Sequence, residues 1–284
     1  MAPSQAEKGE AFGARHAWPV PFVVPNPWDA GSARILTLLG FEALATTSAG
    51  LAFSLGVRDG RGLVGRERTL ANARAIVEAT HLPVCADLEN CFGDEPAVVA
   101  ETIRLAAGTG LVGGSVEDAS GDPERPIYAF AHAVERVHAA VDAARGLPFR
   151  FTVTARAENY LHGRSDLDDT IARLRAFAAA GADVVYAPGL PDLTAIQEVC
   201  AAVAPVPVNV LCGGSGPGYS VPDLGAAGVR RISLGSAFAR AALGGLIRAA
   251  REVRDGGTFG FGAEAPSFAD ISAMMSDATP EVPA

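Results

Sequence analysis

Short apolar runs alternate with longer helical patterns along most of this 284-residue chain, and this alternation limits its possible folds more than any other feature. The pattern is typical of repeated βα units, whose strands form a parallel sheet. Eight runs are predicted to be strands: 21–24, 43–46, 83–87, 113–117, 151–156, 183–186, 208–211 and 231–234. Eight units in a chain of this length favour a closed (β/α)8 barrel, the TIM barrel of the α/β class.

The clearest helical patterns follow the predicted strands and are rich in Ala, Leu, Arg and Glu, with apolar residues at helical spacing. They cover residues 69–80, 95–107, 127–144, 168–180 and 236–253. No GxGxxG motif follows the first strand, which argues against a dinucleotide-binding fold. We therefore predict a single barrel domain.

Three parts of the chain are predicted. Residues 1–18 form a polar N-terminal arm that we expect to be loose, and residues 19–256 form the barrel. Residues 257–284 form a C-terminal helical extension with an apolar stretch around Phe268 and Ile271. An apolar helix outside the barrel needs a surface to pack on, and a partner subunit is the candidate.

Charge and composition exclude several classes of partner. The formal net charge is -9, so binding to nucleic acid would work against an overall repulsion. No apolar run is long enough to cross a bilayer, and the N-terminus lacks the layout of a signal peptide, so we expect a cytoplasmic protein. The four cysteines show no CxxC spacing and are expected to be reduced thiols.

Lys8 is the only lysine in the sequence, and it lies in the predicted N-terminal arm. Barrel aldolases that form a Schiff base need a lysine inside the barrel. This chemistry is excluded unless Lys8 folds into the site. If the protein handles an enolate, a metal ion or an arginine must stabilise the developing charge instead.

Acidic side chains stand at the ends of neighbouring predicted strands. Asp87 and Glu89 follow the third strand, and Glu117 ends the fourth. These strand ends meet at one mouth of a barrel, where crowded carboxylates repel one another unless a cation or shared protons neutralise them. An all-oxygen set suits Mg2+ or Mn2+. The alternative is that these acids cap the following helices or pair with arginines.

Arg156 ends the fifth predicted strand and is expected at the same mouth. There its guanidinium can clamp a substrate carboxylate or stabilise an enolate oxygen. An ion pair with Glu117 or Glu158 is the alternative, and the two interpretations are compatible because a pre-positioned arginine usually has a carboxylate partner.

Small and polar residues follow the second and seventh strands. The turn Ser48-Ala49-Gly50 offers backbone N–H groups to a substrate carboxylate, and Asp59 comes later in the same connection. Asn209 lies in the seventh strand, which leads into the glycine-rich loop 213–216. That loop is either a phosphate site or a plain turn.

Several segments resemble the isocitrate lyase and phosphoenolpyruvate mutase superfamily, in particular its branch of 2-methylisocitrate lyases and carboxyphosphonoenolpyruvate phosphonomutases. The resemblance runs from about residue 26 to residue 251, which is nearly the whole barrel. Its markers are NPWDAGSAR at 26–34, TSAG at 47–50, GVRD at 56–59, ADLENCFG at 86–93, GSVED at 114–118 and TAR at 154–156.

This resemblance implies a magnesium enzyme. The ion would be bound chiefly through Asp87, and the turn at Ser48 to Gly50 would receive the substrate carboxylate. Arg156 would face the reacting oxygens. The waters of the ion would be held by the remaining acids, Glu89, Asp59 and Glu117. The shared chemistry of the superfamily forms a metal-stabilised enolate by breaking a C–C or P–C bond next to a 2-oxo or 2-hydroxy carboxylate.

The segment after the fourth strand departs from the superfamily. Its lyases resemble one another in a lid motif with lysine, cysteine and histidine, whose cysteine is a general acid or base, and its mutases carry a lysine and an asparagine there. Residues 117–126 of this chain read EDASGDPERP and contain none of these. Glu89 also stands where an aspartate is usual. The acid or base is left open among Tyr160, His162, Tyr186 and a water.

We expect a Mg2+-dependent lyase that breaks a C–C bond of a small 2-oxo or 2-hydroxy (di)carboxylate, as a decarboxylase or a retro-aldol lyase. The alternatives are a P–C bond mutase in which Arg125 substitutes for the lid lysine, and a non-catalytic carboxylate-binding barrel. The resemblance also implies a homodimer or homotetramer. Three sets of residues are predicted: Arg156, Glu117 and Asp59 for catalysis, Asp87, Glu89 and Glu117 for the metal, and Ser48, Ala49, Gly50, Asn209 and Arg156 for the substrate.

Overall fold

The computed structural model describes residues 3–214 and 218–276. Eight parallel strands form one sheet in the order β1-β8-β7-β6-β5-β4-β3-β2. Their bounds are Phe22–Val24 (β1), Leu44–Ala45 (β2), Val84–Ala86 (β3), Gly113–Glu117 (β4), Thr152–Arg156 (β5), Val184–Tyr186 (β6), Val208–Leu211 (β7) and Arg231–Ser233 (β8). The N–H of Ala45 also donates to the carbonyl of Pro25 at 3.0 Å, which draws the two ends of the sheet together. The predicted (β/α)8 barrel is confirmed, and each predicted strand is present.

Helices surround the sheet, as the alternation predicts. Their bounds are Gln5–Arg15 (α1), Ala30–Leu38 (α2), Ser48–Ser54 (α3), Gly65–Glu78 (α4), Pro96–Ala107 (α5), Phe130–Arg145 (α6), Leu167–Ala179 (α7), Leu193–Val203 (α8), Val221–Ala226 (α9), Ala237–Arg251 (α10) and Phe268–Met274 (α11). The start of α6 is three residues later than predicted. The cause is local, because Ile127 forms an antiparallel bridge with Ala119 and the N–H of Tyr128 donates to the carbonyl of Asp118.

The N-terminal segment is not loose, so that expectation is wrong. Helix α1 begins with a capping box between Ser4 and Glu7, and its Phe12 is fully buried. The ring of Phe12 lies 6.2 Å from that of Phe22 at the start of β1. Burial of one aromatic side chain contributes roughly 1.5–3 kcal/mol, which is enough to dock a short helix. Helix α1 therefore closes the end of the barrel at which the strands begin.

Lys8 shares this location. Its Nζ donates to the carbonyl of Thr80 at 3.2 Å, just after α4 and before β3 begins. The lysine is therefore at the opposite end of the barrel from the carboxyl ends of the strands. Its position excludes a Schiff base with a substrate bound at those carboxyl ends.

The C-terminal extension is partly described. Helix α11 packs near α2, where Arg34 Nη1 donates to the carbonyl of Ser276 at 3.1 Å. The ring of Phe268 is 89% exposed, and α10 also presents Leu246 and Ile247 to the surface. Residues 277–284 of the predicted extension lie outside the described residues. Within the described ranges no helix combines the length and apolar character needed to cross a membrane.

Candidate active site

The carboxyl ends of β3, β4 and β5 bring acids together around one guanidinium. Arg156 Nη1 lies 3.0 Å from Asp87 Oδ1 and 3.3 Å from Glu117 Oε2. Its Nε donates to Glu158 Oε1 at 2.8 Å. Glu117 and Arg156 are register partners in the parallel pair β4–β5, which explains why the sequence brings them side by side. We call Asp59, Asp87, Glu89, Glu117 and Arg156 the acidic cluster.

Asp87 is fixed in place by hydrogen bonds to both of its oxygens. Ser48 donates to Asp87 Oδ2 from its backbone N–H at 3.2 Å and from its hydroxyl at 2.8 Å. Ser115 Oγ donates to Oδ1 at 3.4 Å. The carboxylate keeps 21% of its side-chain surface exposed, so it is held rigidly yet is open to a ligand.

The other acids of the cluster are under electrostatic stress. Burial, and then repulsion from Asp87 and Asp59, raises the pKa of Glu89 to about 7. Burial and the charge of Asp87 raise the pKa of Asp59 as well. Burial raises the pKa of Glu117 well above its ordinary value, although Arg156 opposes the rise. A cation among these carboxylates would relieve both their repulsion and the cost of their burial.

Glu89 is carried by an unusual backbone segment. Its φ is 51°, and Cys91 and Phe92 also lie in the left-handed region, with φ of 60° and 62°. This conformation is uncommon for residues with a Cβ and needs support from the surroundings. The buried guanidinium of Arg136 supplies it by donating to the carbonyls of Asn90, Gly93 and Asp94.

The donor set fits Mg2+ held mainly through water. Within residues 3–214 and 218–276, no three His, Cys, Asp or Glu side chains are grouped closely enough to hold an ion directly. The predicted trio Asp87, Glu89 and Glu117 therefore does not form a direct three-ligand set. Mg2+ commonly keeps several waters and binds through one or two carboxylates. An excess of partly buried carboxylate oxygen over a single guanidinium agrees with that mode.

A cavity of about 310 Å³ lies at this mouth of the barrel and brings most of the predicted residues together. Its lining includes Ser48, Ala49, Asp59, Asp87, Arg156 and Asn209. Residues 48–50 form the first turn of α3, and Gly50 does not line the cavity, because its N–H donates to Oγ1 of the N-cap Thr47 at 3.2 Å. A Cβ added there would lie 2.6 Å from Thr47 Cγ2 and 2.9 Å from Trp28 Cβ. In this structure Gly50 serves close packing rather than a direct contact with the cavity.

Glu89 and Glu117 line a second cavity of about 690 Å³, which also includes His162 and Ser120. The contacts of Arg156 with both Asp87 and Glu117 place the acidic cluster at the border of the two cavities. Among the residues open as an acid or base, Tyr186 lines the first cavity and His162 the second. Tyr160 instead packs beside Gly189, where an added Cβ would lie 3.2 Å from Tyr160 Cβ.

The segment after β4 is a compact surface loop. Ser120 Oγ donates to the carbonyl of Arg125 at 2.5 Å, and the N–H of Ser120 donates to the carbonyl of Pro126. The side chain of Arg125 is 87% exposed and pairs with Asp122. In this conformation Arg125 does not reach the acidic cluster, so it does not take the place of a lid lysine.

Sequence reasoning missed three residues of the site. Asn26 joins the ends of β1, β2 and β8, because its Oδ1 accepts from the N–H groups of Leu234 and Gly235 and its Nδ2 donates to the carbonyl of Thr46. Arg231 lies in β8 and Arg136 in α6, and both are buried. An arginine at a position predicted to face the core is the sequence signal that could have identified them. Ser215 and Gly216 of the glycine-rich loop lie outside the described residues.

The sequence matches the phosphoenolpyruvate phosphomutase family over residues 12–254. An uncharacterized protein of Mycobacterium tuberculosis strain H37Rv is 33% identical over 253 residues, which cover 87% of this chain and 90% of that protein. The 2-methylisocitrate lyase of Escherichia coli K12 is 27% identical over 229 residues, which cover 78% of this chain and 76% of the lyase.

Solved structures extend the likeness. A crystal structure from Burkholderia cenocepacia J2315, classed as a lyase/mutase, is 58% identical with a TM-score of 0.92, and the match covers 95% of each chain. A structure of oxaloacetate acetylhydrolase with its product oxalate is 26% identical with a TM-score of 0.84, and the match covers 94% of each chain. The resemblance read from the sequence motifs is therefore confirmed at the level of the superfamily.

Proposed function

The chain belongs to the phosphoenolpyruvate phosphomutase family, and we propose that it is a Mg2+-dependent lyase that breaks a C–C bond of a small 2-oxo or 2-hydroxy dicarboxylate through an enolate. The observation that carries this proposal is the position of Arg156, whose guanidinium contacts Asp87 and Glu117 at the rim of the cavity. A fixed positive group beside carboxylates able to hold a cation is what a reaction that develops negative charge on oxygen requires.

Mg2+ would be held chiefly by Asp87, and its waters by Asp59, Glu89 and Glu117. When bound, the ion would polarise the substrate oxygen next to the bond that breaks. Ser48 already orients Asp87 through two hydrogen bonds, so the same turn can align the carboxylate and present Ala49 to the substrate. This arrangement would fix the metal and the substrate relative to one another.

Arg156 would stabilise the oxygen on which charge develops. Glu158 holds its Nε at 2.8 Å, and the ring of Tyr186 lies 5.1 Å from its Cζ. These contacts restrict the guanidinium before substrate binds, so little reorganisation is needed in the transition state. Asn209 is buried and lines the same cavity, where it would help to orient the substrate.

The observed groups favour a lyase over a P–C bond mutase. The only lysine is at the far end of the barrel, and the exposed Arg125 does not face the site. A decarboxylase needs the least from the lid, because carbon dioxide leaves without a proton from an acid there. The C–C lyase and the oxaloacetate acetylhydrolase among the relatives support this choice.

The test uses oxalate, which has the shape and charge of an enolate of pyruvate. Calorimetry of the full chain should show oxalate binding that requires Mg2+, and Asp87→Asn should abolish it. Asp142→Asn is the matched control, because Asp142 is an exposed acid on α6 that pairs with His138. Absence of any Mg2+-dependent oxalate binding would contradict the proposal and favour a non-catalytic barrel.

Product analysis then identifies the reaction. Incubation with oxaloacetate should yield either pyruvate and carbon dioxide, by decarboxylation, or oxalate and acetate, by a cleavage that consumes one water. Rearrangement of phosphonopyruvate without oxaloacetate cleavage would favour the P–C bond mutase. We also propose that the protein acts in the cytoplasm as a homodimer or homotetramer. The exposed apolar side chains of α10 and Phe268 support the oligomer, and light scattering tests it.

A further inference from the structure

A buried guanidinium lies at the deep end of the first cavity. Arg231 opens β8, lines the cavity and is 6% exposed. Its Nε donates to Asn209 Oδ1 at 2.8 Å, and its Nη2 donates to Thr154 Oγ1 at 3.0 Å. Its Nη1 is buried and has no hydrogen-bond partner.

Arg231 differs from Arg156 and from the buried Arg173 in the charge of its partners. Arg156 has three carboxylates within 3.3 Å, and the buried Arg173 pairs with Asp118 and Asp169. In the described part of the chain Arg231 forms no ion pair, and its partners are neutral. An arginine stays protonated even when buried, so this positive charge is uncompensated.

The position of Arg231 separates it from the acidic cluster. Its partner Thr154 lies on β5 two residues before Arg156, which corresponds to roughly 6–7 Å along a strand. Two acids line the cavity, Asp59 and Asp87, and both belong to the acidic cluster. The deep end is instead lined by neutral polar groups around Arg231, namely Thr154, Asn209 and Ser233. The cavity therefore runs from an acidic rim to a cationic floor.

The neutral neighbours are ordered so that they can accept an anion. Asn209 accepts from Arg231 through its Oδ1, so its Nδ2 points the other way and donates to Ser233 Oγ at 3.0 Å. The Ser233 hydroxyl, which also forms a hydrogen bond with the Tyr186 hydroxyl, keeps a proton that it can turn toward a ligand. An anionic group here would supply the charge and the acceptor that the guanidinium lacks.

We propose that Arg231 forms an anion subsite that binds a second carboxylate of the substrate and makes the enzyme selective for dicarboxylates over monocarboxylates. This inference rests on the proposed function, in which the first carboxylate and the reacting oxygen are held at the acidic rim. The distal carboxylate then extends toward the floor, where Arg231 and Ser233 face it.

Two ligands that differ only in the distal group test the subsite. Malate carries a carboxylate where 2-hydroxybutyrate carries a methyl group. Calorimetry with Mg2+ should show that the wild-type chain binds malate at least tenfold more tightly. Arg231→Met should remove this preference while binding of oxalate, which is too short to reach the floor, stays within about twofold.

Arg230→Met is the matched control. Arg230 is adjacent in sequence, but its guanidinium donates to the backbone carbonyls of Gly228 and Val229, outside the cavity lining. The preference for malate should persist in this variant. Arg231→Lys, which keeps a positive charge in the same place, should retain part of the preference.

The outcomes separate this inference from the proposed function. Equal affinity of the wild-type chain for malate and 2-hydroxybutyrate would overturn the subsite, even if Arg231→Met does not fold. An equal loss of oxalate and malate binding in Arg231→Met would also overturn it. If oxalate binding needs no Mg2+ while the malate preference still depends on Arg231, the subsite stands and the proposed lyase fails.

Discussion

Arg156 donates through Nη1 to Asp87 Oδ1 at 3.0 Å, although the two residues are 69 positions apart in the chain. The contact joins the ends of β3 and β5 across the intervening strand β4, whose Glu117 meets the same guanidinium nitrogen. This arrangement couples the residue proposed to hold the metal to the residue proposed to stabilise the enolate. Substitutions at either position should therefore affect both binding and turnover.

Replacement of Arg156 by lysine should lower kcat/KM by about 100-fold or more, because the ammonium cannot contact Asp87, Glu117 and Glu158 together. The measurement is oxaloacetate cleavage, with thermal melting to monitor folding. Arg125→Lys is the control, since the Arg125 side chain is exposed and pairs with Asp122 rather than with the acidic cluster. Activity of the Arg156→Lys enzyme within threefold of wild type would contradict the role of this guanidinium.

Glu89 predicts a pH dependence for the metal-free protein. Its pKa is raised from 4.5 to about 7 on folding. Between pH 4.5 and 7, therefore, Glu89 is protonated in the native state and ionised in the unfolded state. The contribution of Glu89 to stability should therefore fall as pH rises from about 5 to 7 without metal, while the buried His16, whose pKa is lowered to about 3, contributes in the opposite direction below about pH 6.5. Chemical denaturation in the presence of a chelator measures the slope of stability against pH, and Glu89→Gln should make that slope more positive than in the wild type.

Magnesium should reverse the same trend. The ion binds carboxylates only in their charged form, so its affinity should increase as pH rises from about 6 to 8 and the protein should regain stability. A Glu89→Gln protein whose metal-free stability follows pH through this window as the wild type does would show that Glu89 is not held in a protonated state.

Gly50→Ala should distort the turn that holds Asp87. The new Cβ would lie 2.6 Å from Thr47 Cγ2 and 2.9 Å from Trp28 Cβ, so the first turn of α3 must shift. We expect this shift to destabilise the protein by about 1–3 kcal/mol. Ser48 should move with it, and Mg2+-dependent oxalate binding should weaken. Gly244→Ala in α10 is the control, because its Cβ would lie 3.4 Å from the flexible end of Arg248 and should be neutral or stabilising. Equal effects of the two substitutions would contradict this account.

Phe12→Ala tests the closure of the barrel by α1. The ring is fully buried between the helix and the start of the strands, so its removal should destabilise the protein by about 3–5 kcal/mol in urea unfolding. Phe268→Ala, at a ring that is 89% exposed, should change the stability of the monomer by less than about 0.5 kcal/mol. A similarly small effect of Phe12→Ala would show that α1 is not docked on the barrel and that the N-terminal segment is a loose arm, as the sequence indicates.

The barrel and the residue types at its mouth were predictable from the order of residues along the chain. Alternation of apolar runs and helical patterns is a local property of the chain, and the closing of eight βα units follows from it. Once the strands are assigned, the barrel geometry brings Asp87, Glu117 and Arg156 to one end, so their meeting was predictable.

Features that depend on contacts between distant segments became visible only in the folded chain. Polarity in the first residues indicates an exposed arm, but Phe12 finds a cleft at the barrel floor that no local pattern reveals. Arg125 could have faced the site or the solvent, and the loop after β4 turns it outward. The charge on Arg231 is visible in the sequence, yet the lack of an acid beside it among the described residues is a property of three strands packed together. Side-chain partners are set by the register and curvature of the closed sheet, which local propensities do not encode.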